Sequence, residues 1–270
     1  MKFALIGTGF IMPRHAEAIY AVGGKIVDVA NTAHGEDAWR KMVRETAADC
    51  VVILAPNNLH FPMAMAALDA EKIVLCEKPL SFRVEELRTL AARPNIFTVL
   101  QLKYHPLVAK LAGEISRGGE HRIEMDISVY RDKKYYESWK GKKELSGGIL
   151  FNLGIHYFDL LIHLFGEPTT AGPVSYDPKT ASGSFEGNNY SCAWRLSTDE
   201  LQDSQRRVFR VNGADYNFSS KDNLSYENLH REVYRDLLRG KGVTPAEAIP
   251  ATALINDMYK SAGIEFDSIV

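Results

Sequence analysis

Short apolar runs alternate with helical patterns along the first hundred residues of the chain. The apolar runs predict strands at residues 3–6, 25–30, 50–54, 73–75 and 96–100. The stretches between them predict helices at residues 13–22, 37–47, 61–70 and 84–92. Continuously apolar strands that are separated by helices are typical of a sheet covered on both faces. The pattern therefore predicts an α/β fold that begins with a doubly wound parallel sheet.

The pattern changes from about residue 123. Residues 123–131 alternate as a long strand does, and further β-rich stretches follow at residues 169–176, 179–186, 188–198 and 206–218. Since no helices fit between these stretches, we expect an antiparallel sheet in a C-terminal α+β domain. Helices are predicted at residues 152–165, joining the two halves, and at 229–238. We expect the domains to comprise residues 1–120 and 121–270.

Composition argues against several classes of function. The formal net charge is −2 and the pI about 6.5, without the concentrated basic face of a nucleic-acid-binding protein, although the basic stretch 131–143 still permits local anion binding. Cys50, Cys76 and Cys192 are scattered, so we expect no disulfide, no metal site and a reduced, cytoplasmic location. The apolar run 3–6 is too short for a signal peptide, and no run approaches the roughly 18 residues of a membrane span, so no membrane partner is expected.

A glycine-rich loop follows the first predicted strand. Gly7 and Gly9, with Phe10 and Ile11, stand between this strand and the first predicted helix. That is the context in which a dinucleotide fingerprint has physical meaning. Gly7 would permit a tight turn, and Gly9 would let the backbone approach a pyrophosphate at the helix N-terminus. Met12 replaces the third glycine, so the loop alone is a weak signal.

Two further segments end predicted strands at the same sheet edge. Asn31 stands where an acidic residue usually holds the adenine ribose. An amide still bonds a ribose hydroxyl but does not repel a 2′-phosphate, so we expect NAD, with NADP not excluded. Pro56, Asn57 and His60 follow the third strand and are predicted to contact the cofactor. The alternative is an ordinary turn in which Asn58 caps the next helix.

The fourth predicted strand ends in Glu77, Lys78 and Pro79. Open α/β sheets bind ligands at the carboxyl ends of their strands. A partly buried lysine beside a cationic ring loses its proton more readily, which suits it to proton transfer. The alternative is a surface Glu–Lys pair before a turn proline.

A second polar set is spaced for one face of a helix. Asn152, His156 and Asp159 stand at i, i+4 and i+7 in an otherwise apolar stretch. Such a stripe is costly unless its hydrogen bonds are satisfied. The glycines at 147, 148 and 154 favour a functional interpretation, while the alternative is a core histidine bonded to Asp159.

These segments together resemble the Gfo/Idh/MocA family of NAD(P)-dependent oxidoreductases. The resemblance rests on residues 7–15, 57–60, 77–79 and the spacing of Gly154, His156 and Asp159. That family pairs a Rossmann domain with an open-faced antiparallel sheet domain, and the resemblance covers nearly the whole chain. The nucleotide-sugar 3-dehydrogenases, which oxidise UDP-N-acetylglucosamine or its uronate, are the most similar branch, through residues 13–15, 98–106, 138–141, 148–156 and 229–236.

The resemblance implies hydride transfer from the sugar C3 to the nicotinamide, giving a 3-keto sugar. Lys78 would polarise the hydroxyl and share its proton, and His156 would be the general base. Glu77 would hold the nicotinamide ribose, and Gln101 would also contact the cofactor. Substrate contacts are implied for Lys103, His105, Arg131, Trp139, Lys140, Asn152, His156 and Asp159. The cations among them suit a diphosphate or a carboxylate, and Asp159 would orient the imidazole of His156.

Two alternatives stay open at this point. One is another dehydrogenase of the family, acting on a free sugar, an inositol or a bile-pigment-like ring. The other is a non-catalytic binding protein, suggested by Met12, Asn31, Asn152 and a shorter segment between strands two and three than the nucleotide-sugar branch carries. An exposed sheet face usually needs a cover, so we expect a homodimer or homotetramer formed through the C-terminal sheet.

Overall fold

The described part of the chain, residues 1–218 and 226–264 of a computed structural model, divides into two compact units. The first unit contains Met1–Gln101 and Glu227–Ile249. The second contains Leu102–Tyr226 and the residues from Pro250 onward. The division of function at residue 120 stays a prediction.

Five parallel strands form the sheet of the first unit, in the order β2-β1-β3-β4-β5. The strands are β1 (Lys2–Ile6), β2 (Lys25–Ala30), β3 (Cys50–Ile53), β4 (Ile73–Cys76) and β5 (Ile96–Thr98). The helices between them are α1 (Met12–Ala21), α2 (Ala38–Glu45), α3 (His60–Asp69) and α4 (Val84–Ala91). All four residues of β3 are 0% exposed, because helices cover both faces of the sheet, and each such side chain contributes about 1.5–3 kcal/mol relative to exposure. The predicted doubly wound parallel sheet is confirmed.

The sheet of the second unit is mixed, with the order β12-β11-β6-β10-β9-β7 and β8 paired to β9. Its strands are β6 (His121–Ser128), β7 (Thr170–Ala171), β8 (Ser175–Asp177), β9 (Thr180–Glu186), β10 (Tyr190–Ser197), β11 (Arg206–Val211) and β12 (Ala214–Asn217). The C-terminal α+β domain with a largely antiparallel sheet is confirmed, with one departure, since β6 and β10 pair in parallel over eight residues. The chain between these two strands contains helices, so it can supply the crossover that a parallel pair needs.

The helices after β5 were only partly predicted. They are α5 (Pro106–Ile115), α6 (Lys133–Glu137), α7 (Lys143–Ser146), α8 (Ile155–Phe165), α9 (Tyr226–Leu237) and α10 (Pro245–Ser261). Only α8 and α9 were predicted from the sequence, whereas α5, α6, α7 and α10 were not. The helix expected to join the two halves, α8, lies wholly within the second unit. Residues 206–218 form a hairpin, because Asn212 and Gly213 both take the positive φ of a tight turn.

One stretch among the described residues, Lys143–Phe165, is long and apolar enough to cross a membrane by length and composition alone. Its helical conformation is interrupted at Gly147 and Gly148, which both have positive φ. In its most apolar window 61% of the residues are buried. At Gly154 an added Cβ would lie 2.5 Å from the Phe158 ring and 2.9 Å from Leu196 of β10. The stretch therefore packs closely on the sheet as a core element of the second unit.

Candidate active site

The loop after β1 is shaped by two glycines with different surroundings. Gly7 has φ +103°, and a Cβ there would lie 2.6 Å from the carbonyl oxygen of Leu54. Gly7 also donates its N–H to Ala30 O at 2.8 Å, so the end of β1 lies against the ends of its neighbours β2 and β3. A Cβ on Gly9 would meet nothing within 4 Å, which leaves space beside the backbone. Phe10, predicted to contact the cofactor, is 75% exposed.

This loop leads into α1 without a side-chain cap at Ile11 and with Pro13 in the first turn. The N–H groups of Met12 and Arg14 donate to Gly9 O at 3.0 Å and to Ile11 O at 3.1 Å, so an anion here would interact mainly with the positive end of the helix dipole. The strand order also reverses here, since β1 lies between β2 and β3. Open sheets bind their ligands at such a switch point.

Asn31 connects the end of β2 to the glycine loop. Its Oδ1 accepts from Ala33 N at 3.0 Å, and its Nδ2 donates to Thr8 Oγ1 at 3.2 Å. The side chain thus fixes the turn that follows β2. Its hydrogen bond to a ribose stays a prediction.

The residues after β3 and β5 add polar groups to the first unit. Pro56 precedes a 3₁₀ turn, Asn57–Leu59, in which Asn57 is only 5% exposed. Asn58 does not cap α3, whose N-cap is Leu59 and makes no side-chain bond. The Oε1 atom of Gln101 is buried and has no hydrogen-bond partner among the described residues. Together with the space beside Gly9, this buried acceptor fits a bound dinucleotide.

His60 holds two backbone segments together. It is fully buried, its Nδ1 lies 2.6 Å from Pro79 O, and its Nε2 lies 2.9 Å from Ala55 O. Burial lowers the pKa of His60. The peptide between Lys78 and Pro79 is cis. The structure thus gives His60 a positioning role for the backbone that carries Lys78, and its predicted contact with cofactor stays a prediction.

The Glu77 carboxylate lies in a cluster that the sequence analysis missed. Its Oε1 is 2.8 Å from His15 Nε2 and 3.7 Å from His230 Nε2, and its Oε2 accepts from Lys78 N at 3.2 Å. The Nδ1 of His15 lies 2.8 Å from the hydroxyl of Tyr234. Burial alone would raise the pKa of Glu77, but His15 and His230 outweigh it and hold this pKa well below its usual range. The signal in the sequence was a histidine on the apolar face of α1, at the spacing of Ala18 and Ile19.

In the second unit, the glycines before α8 contact tyrosine hydroxyls. The hydroxyl of Tyr259 donates to Gly147 O at 2.7 Å. A Cβ on Gly148 would lie 2.6 Å from that hydroxyl and 3.0 Å from the hydroxyl of Tyr176. Only glycine fits this approach at a φ of +69°.

The polar set Asn152, His156 and Asp159 does not lie on one regular helix. Asn152 belongs to a π-helical turn, Leu150–Gly154, and α8 begins at Ile155. Its Nδ2 donates to Lys140 O at 3.1 Å. A π turn has more residues per turn than an α-helix, so the predicted i, i+4, i+7 register breaks at Asn152. Such turns are frequent at functional sites.

Two predicted substrate residues, Lys103 and Asp159, form an ion pair. Lys103 Nζ lies 3.1 Å from Asp159 Oδ1, and their side chains are 12% and 4% exposed. Asp159, expected to orient His156, thus directs this oxygen at a lysine. His156 itself is half-buried on α8.

His105, another predicted substrate residue, is the N-cap of α5. It is 2% exposed, its Nδ1 accepts from Leu107 N at 3.2 Å, and its ring packs edge-on against Phe218. These contacts give it a structural role, and its contact with substrate stays a prediction.

A cavity of about 240 Å³ lies within the second unit, beside Asn152 and Lys140. Two further lysines, Lys143 and Lys179, line it together with aromatic residues. The tyrosines of its wall are Tyr135, Tyr136 and Tyr176. Lys143, Lys179 and Tyr176 were not predicted from the sequence as site residues. A cavity with several lysines and aromatic rings suits an anionic ligand that carries a planar group.

Arg131 and Trp139 stand near members of this cavity wall. The Arg131 guanidinium lies 5.2 Å from the centre of the Tyr135 ring. Trp139 begins a 3₁₀ turn, Trp139–Gly141, with Lys140 Nζ 5.9 Å from its ring centre. Arg131 and Trp139, which are predicted to contact substrate, therefore each lie beside a residue that lines the cavity.

Comparison with known proteins identifies the family. Residues 1–95 match the model of an oxidoreductase family with an NAD-binding Rossmann fold, and residues 120–199 match the C-terminal alpha/beta domain of that family. The chain belongs to the Gfo/Idh/MocA oxidoreductase family. The first unit is thus the NAD-binding Rossmann domain that the sequence predicts.

Solved structures of one dehydrogenase are similar over almost the whole chain. The WlbA (WbpB) dehydrogenase of Thermus thermophilus, in complex with NAD and alpha-ketoglutarate, is 30% identical with a TM-score of 0.83, covering 94% of each chain. The same enzyme in complex with NAD and UDP-GlcNAcA is 29% identical with a TM-score of 0.83, covering 97% of this chain and 94% of that one.

A curated sequence relative has a different name. The scyllo-inositol 2-dehydrogenase (NADP(+)) IolW of Bacillus subtilis is 29% identical over 136 residues, which are 47% of this chain and 38% of the relative. The chain spans about half the length of the curated relatives it matches.

The cap at His105 makes stability depend on pH. Burial lowers the pKa of His105 in the folded chain, so the unfolded chain binds the proton first as the pH falls. Stability from this group is therefore present above about pH 6.5 and is lost as the pH falls from there through the lower pKa of the folded chain. Asparagine caps helices without titrating. We predict that His105→Asn has a smaller loss of stability between pH 7.5 and 5.5 in urea unfolding.

The control for this experiment is His34→Asn, at an exposed position of the first unit. It should keep the pH dependence of the parent chain. An equal dependence in His105→Asn and the parent chain would show that the cap does not titrate as described.

Proposed function

We propose that this protein is an NAD(P)-dependent dehydrogenase that oxidises the C3 hydroxyl of a nucleotide sugar, such as UDP-N-acetylglucosamine or its uronate, to a ketone. The observation that carries the proposal is the near full-length likeness, at 29% identity, to a dehydrogenase solved with NAD and UDP-GlcNAcA. Family membership supports the reaction class, and the residues of the first unit fit the cofactor.

The second unit supports an anionic substrate over a neutral polyol. Its cavity is lined by Lys140, Lys143 and Lys179. Lys179 forms an ion pair with Asp199 at 2.8 Å, and the excess of positive charge around the cavity favours an anion such as the diphosphate of a nucleotide sugar. A free polyol has only hydroxyl groups and gains nothing from this charge.

Two residues carry the proposed proton chemistry. When bound, a nicotinamide cofactor would accept a hydride from the sugar carbon. Lys78 would donate a hydrogen bond to the reacting oxygen, which stabilises negative charge as the hydroxyl loses its proton. His156 would take that proton, because an imidazole titrates near neutral pH. His60, through its two backbone contacts, would keep the Lys78 segment in place.

The direct test compares substrates in an NAD-reduction assay with the purified chain. We predict that UDP-N-acetylglucosamine or its uronate supports turnover with kcat/KM at least about 100-fold above that of free N-acetylglucosamine, since the diphosphate contacts are worth several kcal/mol. Running the assay with NAD and NADP in parallel measures the cofactor preference. Equal rates with the free sugar would contradict the nucleotide-sugar proposal.

The second candidate is an inositol dehydrogenase. The curated relative named scyllo-inositol 2-dehydrogenase (NADP(+)) favours it, although the match covers 38% of that protein. The same assay with myo- and scyllo-inositol decides between the two candidates. Turnover of an inositol without turnover of a nucleotide sugar would support an inositol dehydrogenase.

Lys78 is tested by two substitutions. We predict that Lys78→Ala lowers kcat by about 10²–10⁴-fold with NAD affinity nearly unchanged, since it removes a group that acts on the reacting oxygen. Lys78→Arg keeps the charge but cannot share the proton, so it should recover only part of the rate. Lys25→Ala, at an exposed position in the same unit, is the control. A Lys78→Ala variant that keeps more than about a tenth of the activity would remove Lys78 from the mechanism.

His156 is tested through the pH dependence of the rate. The base must be deprotonated, so the rate should fall on the acid side of its pKa. We predict that His156→Asn lowers kcat and flattens this acid limb, while His163→Asn, at an exposed position on the same helix, leaves it intact. An unchanged limb in His156→Asn would assign the base to another group.

Assembly through the second sheet and a cytoplasmic location are part of the proposal. One face of β6 buries Ile123, Met125 and Ile127. The other carries Asp126, which pairs with Arg195 at 3.2 Å and with Arg206 at 2.5 Å. Because this outer face consists of paired charges, a homodimer or homotetramer formed on it would be held by polar contacts and weakened by salt.

A further inference from the structure

Three potential metal ligands converge in the interior of the first unit. His15 comes from α1, Glu77 from the end of β4, and His230 from α9. One ligand atom from each lies within 4.8 Å of the other two. His15 and His230 are 0% and 2% exposed, and the Glu77 side chain is 14% exposed. None of the proposed steps of catalysis uses the two histidines.

We propose that His15, Glu77 and His230 form a binding site for one divalent transition-metal ion of the Zn²⁺ class. Two imidazole nitrogens and one carboxylate oxygen are a preferred donor set for such ions. Ligand atoms that each lie about 2.1 Å from a tetrahedral ion are about 3.4 Å apart, so ligand atoms within 4.8 Å of one another need to approach by at most about 1.4 Å. The separations of 2.8 Å and 3.7 Å at Glu77 Oε1 lie on either side of this value.

His230 is the residue of the cluster whose ring nitrogens lack hydrogen bonds within the described part of the chain. Neither of its ring nitrogens has a hydrogen-bond partner among the residues that the structure describes. A buried imidazole without hydrogen bonds is unfavourable, because each unmet group has lost its hydrogen bonds to water. Its Nε2 points towards Glu77 Oε1 at 3.7 Å, which is too long for a hydrogen bond but suits two ligands of one ion.

His15 has the outer contact that metal-bound histidines usually have. Its Nδ1 lies 2.8 Å from the hydroxyl of Tyr234, a fully buried residue. A partner at Nδ1 holds the ring in place and leaves Nε2 to bind the ion. The alternative arrangement has no ion: Tyr234 donates to Nδ1, and Nε2–H donates to Glu77. It satisfies His15 and Glu77 but leaves both nitrogens of His230 unmet.

The ion would join segments that are far apart in the chain. It would fasten α9 to α1 and to the end of β4, all within the first unit. The expectation of no metal site rested on cysteine spacing, and a site assembled from both ends of the chain has no spacing to read. The partial exposure of Glu77 provides a path for the ion.

The test uses the intact chain without an affinity tag, treated with EDTA and dialysed. We expect one equivalent of Zn²⁺ or Co²⁺ to bind per chain in a calorimetric titration, with visible d–d absorption for Co²⁺ and a higher melting temperature. His230→Gln and Glu77→Gln should each weaken binding by about 10-fold or more, since each removes a ligand. His34→Gln, at an exposed histidine of the same unit, should bind like the parent chain.

Circular dichroism of each variant establishes that it is folded. If a variant does not fold, the parent chain decides: the absence of a stoichiometric Zn²⁺ or Co²⁺ site there overturns the proposal. Equal binding by folded His230→Gln and the parent chain also overturns it, since the ion would then lie elsewhere. None of these measurements requires turnover, so failure of the metal-site proposal and failure of the proposed dehydrogenase activity can be distinguished.

Discussion

The parallel pairing of β1, β3 and β4 sets the positions of the polar groups at the edge of the first sheet. Ile6 pairs with Ile53, and Ile53 with Cys76, so the three strands end level with one another. The residues that follow, Gly7 and Glu77 among them, must therefore emerge at the same edge. The strands are apolar because they are buried on both faces, and only their ends are free to carry chemistry. Because the strands are buried on both faces, the same pairing that buries them also places the polar groups together at one edge of the sheet.

Much of the first unit could be predicted from the sequence because its strands are local and continuously apolar. Burial on both faces leaves a run such as Cys50–Ile53 without alternation, and the intervening helices require parallel pairing. The second sheet was harder, because pairing depends on contacts between distant segments. The strand pattern of residues 188–198 predicts β10 but not its parallel partner β6. The π turn at Leu150–Gly154 likewise ends at Gly154, which packs closely on Leu196 of a distant strand, and no local pattern predicts that contact.

In the candidate site, too, features set by nearby residues could be predicted, whereas contacts between distant segments could not. Positions at the ends of strands, such as Lys78 and Asn31, follow from the strand pattern alone. Their partners do not, since Glu77 lies against two histidines from opposite ends of the chain and Asp159 against Lys103. Helical spacing predicts that Asp159 orients His156, which stays a prediction, but it does not predict the pairing with Lys103, because spacing considers one helix at a time. A buried carboxylate takes a cation wherever the fold brings one, because an unpaired charge in the interior is costly.

The need to balance charge also affects which cofactor, NAD or NADP, the first unit can bind. The end of β2 has the neutral Asn31, whose amide is engaged with Thr8 and with the turn that follows. The carboxylate within β2, Asp28, accepts a hydrogen bond from the hydroxyl of Thr46, and Glu45 lies 4.0 Å from Lys41. These groups line a shallow cavity together with His34, in which Lys41 offsets one of the two carboxylates and Thr46 holds the other. A 2′-phosphate meets less repulsion there than at a strand end with a free acid, and selection against NADP by charge is correspondingly weak.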